Sequence, residues 1–142
     1  TRGPISTGFG CMAVGKGSWA GGYLSHVLKP DSIAYGYRVK VIGDGSAGFG
    51  AAVLSTSDRS FTAGDSLLNY SHSGTVLGKY NIAKNNNTPL VVGWGDDTER
   101  YNIFEVNADK SFKLGDSTFT AEQIAQLHML SQMSIYNGEV IE

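Results

Sequence analysis

Ser18-Trp19-Ala20-Gly21-Gly22, Ser32-Ile33-Ala34-Tyr35-Gly36, Ser46-Ala47-Gly48-Phe49-Gly50 and Ser60-Phe61-Thr62-Ala63-Gly64 follow one another at intervals of 14 residues. The closing glycine belongs to a longer series, Gly8, Gly22, Gly36, Gly50, Gly64 and Gly78, whose register never slips. Pro4 and Gly74 stand where the first and last units would open on serine. Given one glycine, five more falling into register by chance has a probability of roughly 4 in 100,000, so the periodicity is a property of the fold.

Fourteen is also two heptads, but a helix with glycine every few residues loses about 1 kcal/mol per glycine against alanine. The spacing predicts instead a flattened coil with two short strands per turn, each about 16 Å long, joined by tight corners. Glycine, which reaches positive φ without a Cβ clash, is expected at those corners. The second strand is expected at Met12-Ala13-Val14, Val39-Lys40-Val41-Ile42, Ala51-Ala52-Val53-Leu54 and Ser66-Leu67-Leu68, closed by Gly15 and Gly43 or by Ser57 and Ser71 in their place.

Six such units, Pro4 to Asn87, stacked at about 4.8 Å per turn would build a roll some 25 to 30 Å tall. Its narrow interior is assigned to the small residues two after each opening position: Ser6, Ala20, Ala34, Gly48, Thr62 and Val76. Ile33, Val39, Val41, Phe61, Leu67 and Leu77 are larger, and a two-stranded turn leaves them to find cover on another chain.

The Ser-x-Ala-x-Gly units at this period resemble the head repeats of YadA-like trimeric autotransporter adhesins over residues 4 to 87. The resemblance implies a trimeric, left-handed parallel β-roll. The segment that follows, Gly78-Lys79-Tyr80-Asn81-Ile82-Ala83, Leu90 to Gly95 and Arg100 to Val106, looks like the region after such repeats in bacteriophage tail and other virion fibre proteins. The expected fold class is therefore mainly β: a trimeric β-roll over 1–87, then a strand-and-helix cap over 88–142 holding a small β-hairpin and a short C-terminal helix.

Within that cap, Leu90 to Trp94, Tyr101 to Val106 and Ser111 to Leu114 read as strands, the last two joined across Asp109-Lys110. Thr120 and Gln123 make a capping box for a helix from Ala121 to about Met133. Ile124, Leu127, Leu130 and Met133, with Met129, give it a broad apolar surface, open to two readings. The helix packs on its own chain's core, or three copies meet on a shared axis and fix chain register.

Composition narrows the function. Nineteen glycines in 142 residues, against a usual ~7%, with only three prolines exclude collagen and proline-rich linkers. A net charge of −2 with scattered lysines and arginines excludes the footprint of a nucleic-acid binder or a polybasic membrane patch. No apolar run approaches the ~20 residues of a membrane span. A repeat already under way at Pro4 reads as a fragment of a longer protein.

His26, His72 and His128 lack metal-ligand spacing, and Cys11 holds the repeat position of Val39, Val53 and Leu67. Asp96, Asp97 and Glu99 lack the ligand order of a calcium loop, and Gly15-Lys16-Gly17 and Gly43-Asp44-Gly45 lack a phosphate-loop pattern. No metal, cofactor or catalytic site is expected, and the chain is not read as an enzyme. Trp19, Tyr23 and Tyr37 are the candidate surface-binding aromatics. The expected function is a structural or attachment segment of a homotrimeric phage fibre on the virion surface, with two identical chains as partners and a host-surface glycan or another virion protein as further partner. The alternative is the glycan-binding head of a bacterial trimeric autotransporter adhesin at the cell surface.

Overall fold

A computed structural model describes residues 2–136 as a parallel β-solenoid that continues into antiparallel strands and a helix. β1 (Ile5–Phe9) and β2 (Met12–Ala13) form the first turn, β3 (Trp19–Tyr23) and β4 (His26–Val27) the second, and β5 (Ile33–Tyr37) and β6 (Lys40–Val41) the third. β7 (Ala47–Ala51) and β8 (Leu54–Ser55), then β9 (Phe61–Asp65) and β10 (Leu68–Asn69), make the next two, and β11 (Thr75–Lys79) opens the sixth. Long strands stack on long strands and short on short, each step 14 residues, as in Ile5↔Trp19 and Met12↔His26. The solenoid, its period and its two strands per turn are those read from the glycine series. Ala52 and Ser66 are corner residues instead of strand residues, so the short strands in those turns begin later than the apolar pattern implied.

The glycine series itself sits elsewhere than expected. Gly8, Gly22, Gly36, Gly50, Gly64 and Gly78 are each the fourth residue of a long strand, with φ between 96° and 147°. The corners fall on two other columns: Gly10, Leu24, Arg38, Ala52, Ser66 and Tyr80 at φ 45–63°, and Gly17, Asp31, Gly45, Arg59 and Ser73 at 50–71°. Left-handed backbone costs a non-glycine residue roughly 1–2 kcal/mol. The stack fixes it by pairing the corner amides along the axis: Leu24, Arg38 and Ala52 N–H donate to the carbonyls of Phe9, Tyr23 and Tyr37, each at 2.8 Å. In-strand glycine answers a different demand, because a Cβ on any of these six would fall on the carbonyl of the matching glycine one turn on.

The interior is narrow, as the small column requires. Ala20, Ala34, Gly48, Thr62 and Val76 are buried, facing Val39, Val53 and Leu67 and, beside them, Val27 and Val41. Ser6, in the end turn, is exposed and accepts from Ala13 N–H at 2.8 Å. Val39, Val41 and Leu67 therefore need no partner chain: the chain's own short strands turn them inward. Phe61 stays exposed, and Ile33 and Leu77 half-buried, on the outer face.

The opening serines are buried hydrogen-bonding elements. Ser32 Oγ donates to the Gly43 carbonyl (2.9 Å) and accepts from Ser46 N–H (3.1 Å), and Ser46 Oγ repeats this with Ser57 O (2.9 Å) and Ser60 N–H (3.0 Å). Each hydroxyl satisfies backbone groups that a bulkier apolar residue would leave unpaired, at about 1–3 kcal/mol per group.

β12 (Leu90–Trp94) joins β11 in parallel after a longer step, Thr75↔Leu90, and keeps the glycine column through Gly78↔Gly93. β13 (Asn102–Val106), β14 (Phe112–Leu114) and β15 (Ser117–Phe119) then pair antiparallel, completing one ten-stranded sheet. The first three strands of the cap lie where the sequence placed them; β15 was not anticipated. The short-strand sheet ends differently. Leu68 N–H and C=O bond the side-chain amide of Asn81 (2.8 and 2.9 Å), and Ile82 N–H and C=O bond that of Asn102 (2.8 and 2.9 Å). Asn102 also donates to the buried Glu105 carboxylate (2.8 Å), which pairs with Lys84 at 3.2 Å. Thus two asparagine amides replace the next strand of the ladder and close that end of the roll.

α1 (Ala121–Tyr136) follows, opened by the reciprocal bonds Thr120 N–H to Gln123 Oε1 (3.0 Å) and Gln123 N–H to Thr120 Oγ1 (3.2 Å). The last part of the 88–142 segment, residues 137–142, lies outside the described residues.

Candidate interaction surface

Alternation along each long strand turns the residues flanking the buried column outward. Ile5, Trp19, Ile33, Ala47 and Phe61 form one outer column, Thr7, Gly21, Tyr35, Phe49 and Ala63 a second, and Phe9, Tyr23, Tyr37 and Ala51 a third. Asp65 and Lys79 continue the third column and Thr75 the first, so the polar side chains gather toward the last turns. The antiparallel strands extend it: Leu90↔Val106 and Val92↔Phe104 place Val106 and Phe104 on the same side, Phe104 meets Phe112 at 6.1 Å, and Phe112 stacks on Phe119 at 5.0 Å. A largely apolar face thus runs along the ten-stranded sheet, interrupted by Asp65 and Lys79 in its third column.

Two of the candidate binding aromatics come together there. Tyr23 lies between Phe9 (ring centroids 5.2 Å, planes 11° apart) and Tyr37 (5.3 Å, 9°). Arg38 stands 5.7 Å over the Tyr37 ring. Trp19 is separate, edge-on to Tyr35 at 5.7 Å, with its Nε1–H reaching Thr7 Oγ1 at 3.4 Å. Tyr35 and Phe49 share a repeat position yet do not form a ladder: Tyr35 turns back over Gly21, where a Cβ would meet its ring at 2.6 Å, while Phe49 meets Phe61 at 6.0 Å. The side chains diverge because glycine at 21 opens a space that no other turn of this column has.

The consequence is chemical. Carbohydrate recognition by an aromatic uses the ring face, and both faces of Tyr23 are taken by neighbouring rings. Tyr37 has one ring neighbour, Tyr23, and the Arg38 guanidinium over its ring. Trp94, after the last repeat, is 61% exposed with the Lys79 ammonium 4.8 Å over its ring.

The short-strand face is mixed. Its outward column runs Met12, His26, Lys40, Leu54 and Leu68, with half-buried Leu28 and Ile42 beside it. The helix is a third element with exposed apolar side chains. Every residue from 121 to 133 is exposed, Leu127 at 61% and Leu130 at 56%, so packing on the chain's own core is not what the apolar residues of α1 do. A cleft of about 390 Å³ separates the helix from β15, lined by Phe119, Leu127 and Leu130 with polar residues around them.

The titratable groups are dispersed. His26 sits on the short-strand face, His72 at a corner with its N–H on Asn86 Oδ1 (2.6 Å), and His128 on the helix. Among the described residues no three of histidine, cysteine, aspartate or glutamate gather as a metal site would require. Cys11 is half-buried against the core. Asp96 is tied into its own turn, its Oδ1 accepting from Thr98 Oγ1 (2.6 Å) and from Thr98 and Glu99 N–H (both 2.9 Å), which holds its carboxyl below the usual carboxylate range. No described helix is long and apolar enough to cross a membrane. Searches against protein-family models, curated proteins and solved structures find no match to this chain.

Proposed function

We propose that this chain is a structural and attachment segment of a homotrimeric fibre on a virion surface, a rod whose chains lie side by side. One observation carries the reading: the roll has two different outer faces that expose apolar side chains, a largely apolar one on the ten-stranded sheet and a mixed one on the short-strand sheet, on opposite sides of a core it fills by itself. An isologous dimer uses one patch twice and leaves the second face wet; a heterologous contact between the two faces uses both, and forms a ring where the rotation from one copy to the next closes. A thin solenoid with two sides to cover fits three copies about an axis along the stack. The resemblance of the repeats to trimeric β-roll heads, and of the following segment to fibre proteins of phages, supports the same arrangement.

The adhesin-head alternative is less well supported, since Tyr23 has both ring faces against neighbouring rings and Trp19 stands apart from it, so the candidate aromatics do not form one platform for a sugar. The test is substitution on the sheet's outer face, Phe61→Asp and Tyr35→Asp. Trimers that fall to folded monomers are the expected result. Unchanged assembly with loss of binding on a glycan array would favour the adhesin head instead.

A further inference from the structure

Residues three apart in a regular strand point to opposite faces of the sheet. Asn102 and Glu105 are three apart in β13, yet both are buried, at 1% and 4% exposure. The cause is a break in register against β12: Val92 pairs with Phe104 but Gly93 with Asn102, so Ile103 is an extra residue and the bulge turns Asn102 inward beside Glu105. Lys84 arrives from the segment after the roll. The Asn102 amide bonds both backbone groups of Ile82, at 2.8 and 2.9 Å, which fixes the chain two residues before Lys84. The Lys84 ammonium and Asn102 Nδ2 then meet at one atom, Glu105 Oε1, at 3.2 and 2.8 Å.

Closing the roll does not call for the acid or the amine. Asn81 makes the equivalent closure at Leu68 with an amide that bonds backbone groups alone. Lys84–Glu105 is the one salt bridge among the described residues, and burying its carboxylate is a weak way to gain stability. Amine, carboxylate and carboxamide in contact are, however, the three groups that amide exchange requires.

We propose that Lys84 and Asn102 become joined by an isopeptide bond that the chain forms on itself, with Glu105 as the proton carrier. Glu105 takes a proton from the Lys84 ammonium, and the neutral Nζ attacks Asn102 Cγ. Charge developing on Oδ1 is met by the Ile82 N–H already bonded to it at 2.8 Å. Glu105 hands the proton to Nδ2, its present hydrogen-bond donor, and the Cγ–Nδ2 bond breaks. The second proton leaves Nζ by way of the same carboxylate, so the net products are the Lys84–Asn102 amide and ammonium. One C–N bond forms and one breaks, nothing is oxidised or reduced, and Glu105 ends as the carboxylate it began as. The Lys84 side chain is 34% exposed, which leaves its stem room to swing Nζ from Oε1 to Cγ and gives ammonia a way out. The bond ties the segment after the roll to β13, so the end closed by asparagine amides is held covalently.

The test is the intact mass of the purified full chain against its sequence mass, followed by a protease digest to locate any change. The expected result is a chain lighter by one ammonia, with a branched peptide joining the Lys84 segment to the Asn102 segment. Lys84→Arg, and Glu105→Gln, which keeps an acceptor for Asn102 Nδ2, are expected to show their full sequence masses and no branched peptide. A folded unsubstituted chain of full sequence mass would overturn the proposal, and so would a loss of ammonia without the branched peptide. A cross-link that persists in Glu105→Gln would overturn the role given to the carboxylate.

Discussion

The α-hydrogen of Gly50 points at the carbonyl oxygen of Gly64 one turn along the stack, and a Cβ built there would lie on that carbonyl. The same relation links each glycine of the series to the next, ending at Gly93. It is a demand on the strand interior, made by the close approach of one turn's backbone to another's.

Gly50→Ala is therefore expected to be severe, costing about 3 kcal/mol or more, since neither carbonyl nor strand can move without disturbing the whole column. Two residues on, Ala52 holds a corner at φ 51°, where its Cβ is the source of strain. Ala52→Gly is expected to be neutral or to stabilise by up to about 1 kcal/mol. Urea denaturation of the two variants measures the difference, and equal effects would show that the column glycines are only corner formers.

Asn81 carries the second prediction. Its amide stands in for a missing strand by bonding both backbone groups of Leu68. Asn81→Leu keeps the volume and removes both partners, and is expected to cost about 2–4 kcal/mol. Hydrogen exchange locates the loss: the Leu68 amide, protected in the native chain, should exchange faster in the variant by a larger factor than the Leu54 amide, whose partner is the Leu67 carbonyl at 2.9 Å.

The contrast between those two positions shows what is legible in the sequence. The period, the parallel stacking and the narrow interior follow from Gly8 to Gly78 and from Ala20, Ala34 and Thr62, because a solenoid repeats its steric demands and the sequence repeats with them. Corner positions did not stand out, since Leu24, Arg38 and Ala52 share a backbone conformation but no side-chain chemistry. Asn81 and Asn102 act once each, and a lone asparagine between a tyrosine and an isoleucine carries no repeat that would mark it. The outer aromatics were visible as residues, but their ring-on-ring arrangement depends on Gly21 and on the strand register, which only the folded chain provides.

A pH effect is expected in the turn after β12. Thr98 Oγ1–H and the N–H groups of Glu99 and Thr98 hold the Asp96 carboxyl low, and Ser111 does the same for Asp109 through its hydroxyl and its N–H. A depressed folded value means that the turn's contribution is complete above about pH 4, the ordinary carboxylate value, and is lost as pH falls through the lower one. Carboxyl carbon NMR should place both titrations below about 3.9, and Thr98→Val should move Asp96 upward while leaving Asp109 in place. An Asp96 titration that ignores Thr98→Val would contradict the assignment of the cause.

Association of identical chains is the claim on which the function depends, because the exposed sheet faces and helix have no other stated cover. Sedimentation equilibrium of the unmodified chain across a range of concentrations tests it most directly. A single species of three times the 15.1 kDa chain mass is the expected result. A monodisperse 15.1 kDa monomer at every concentration would contradict it.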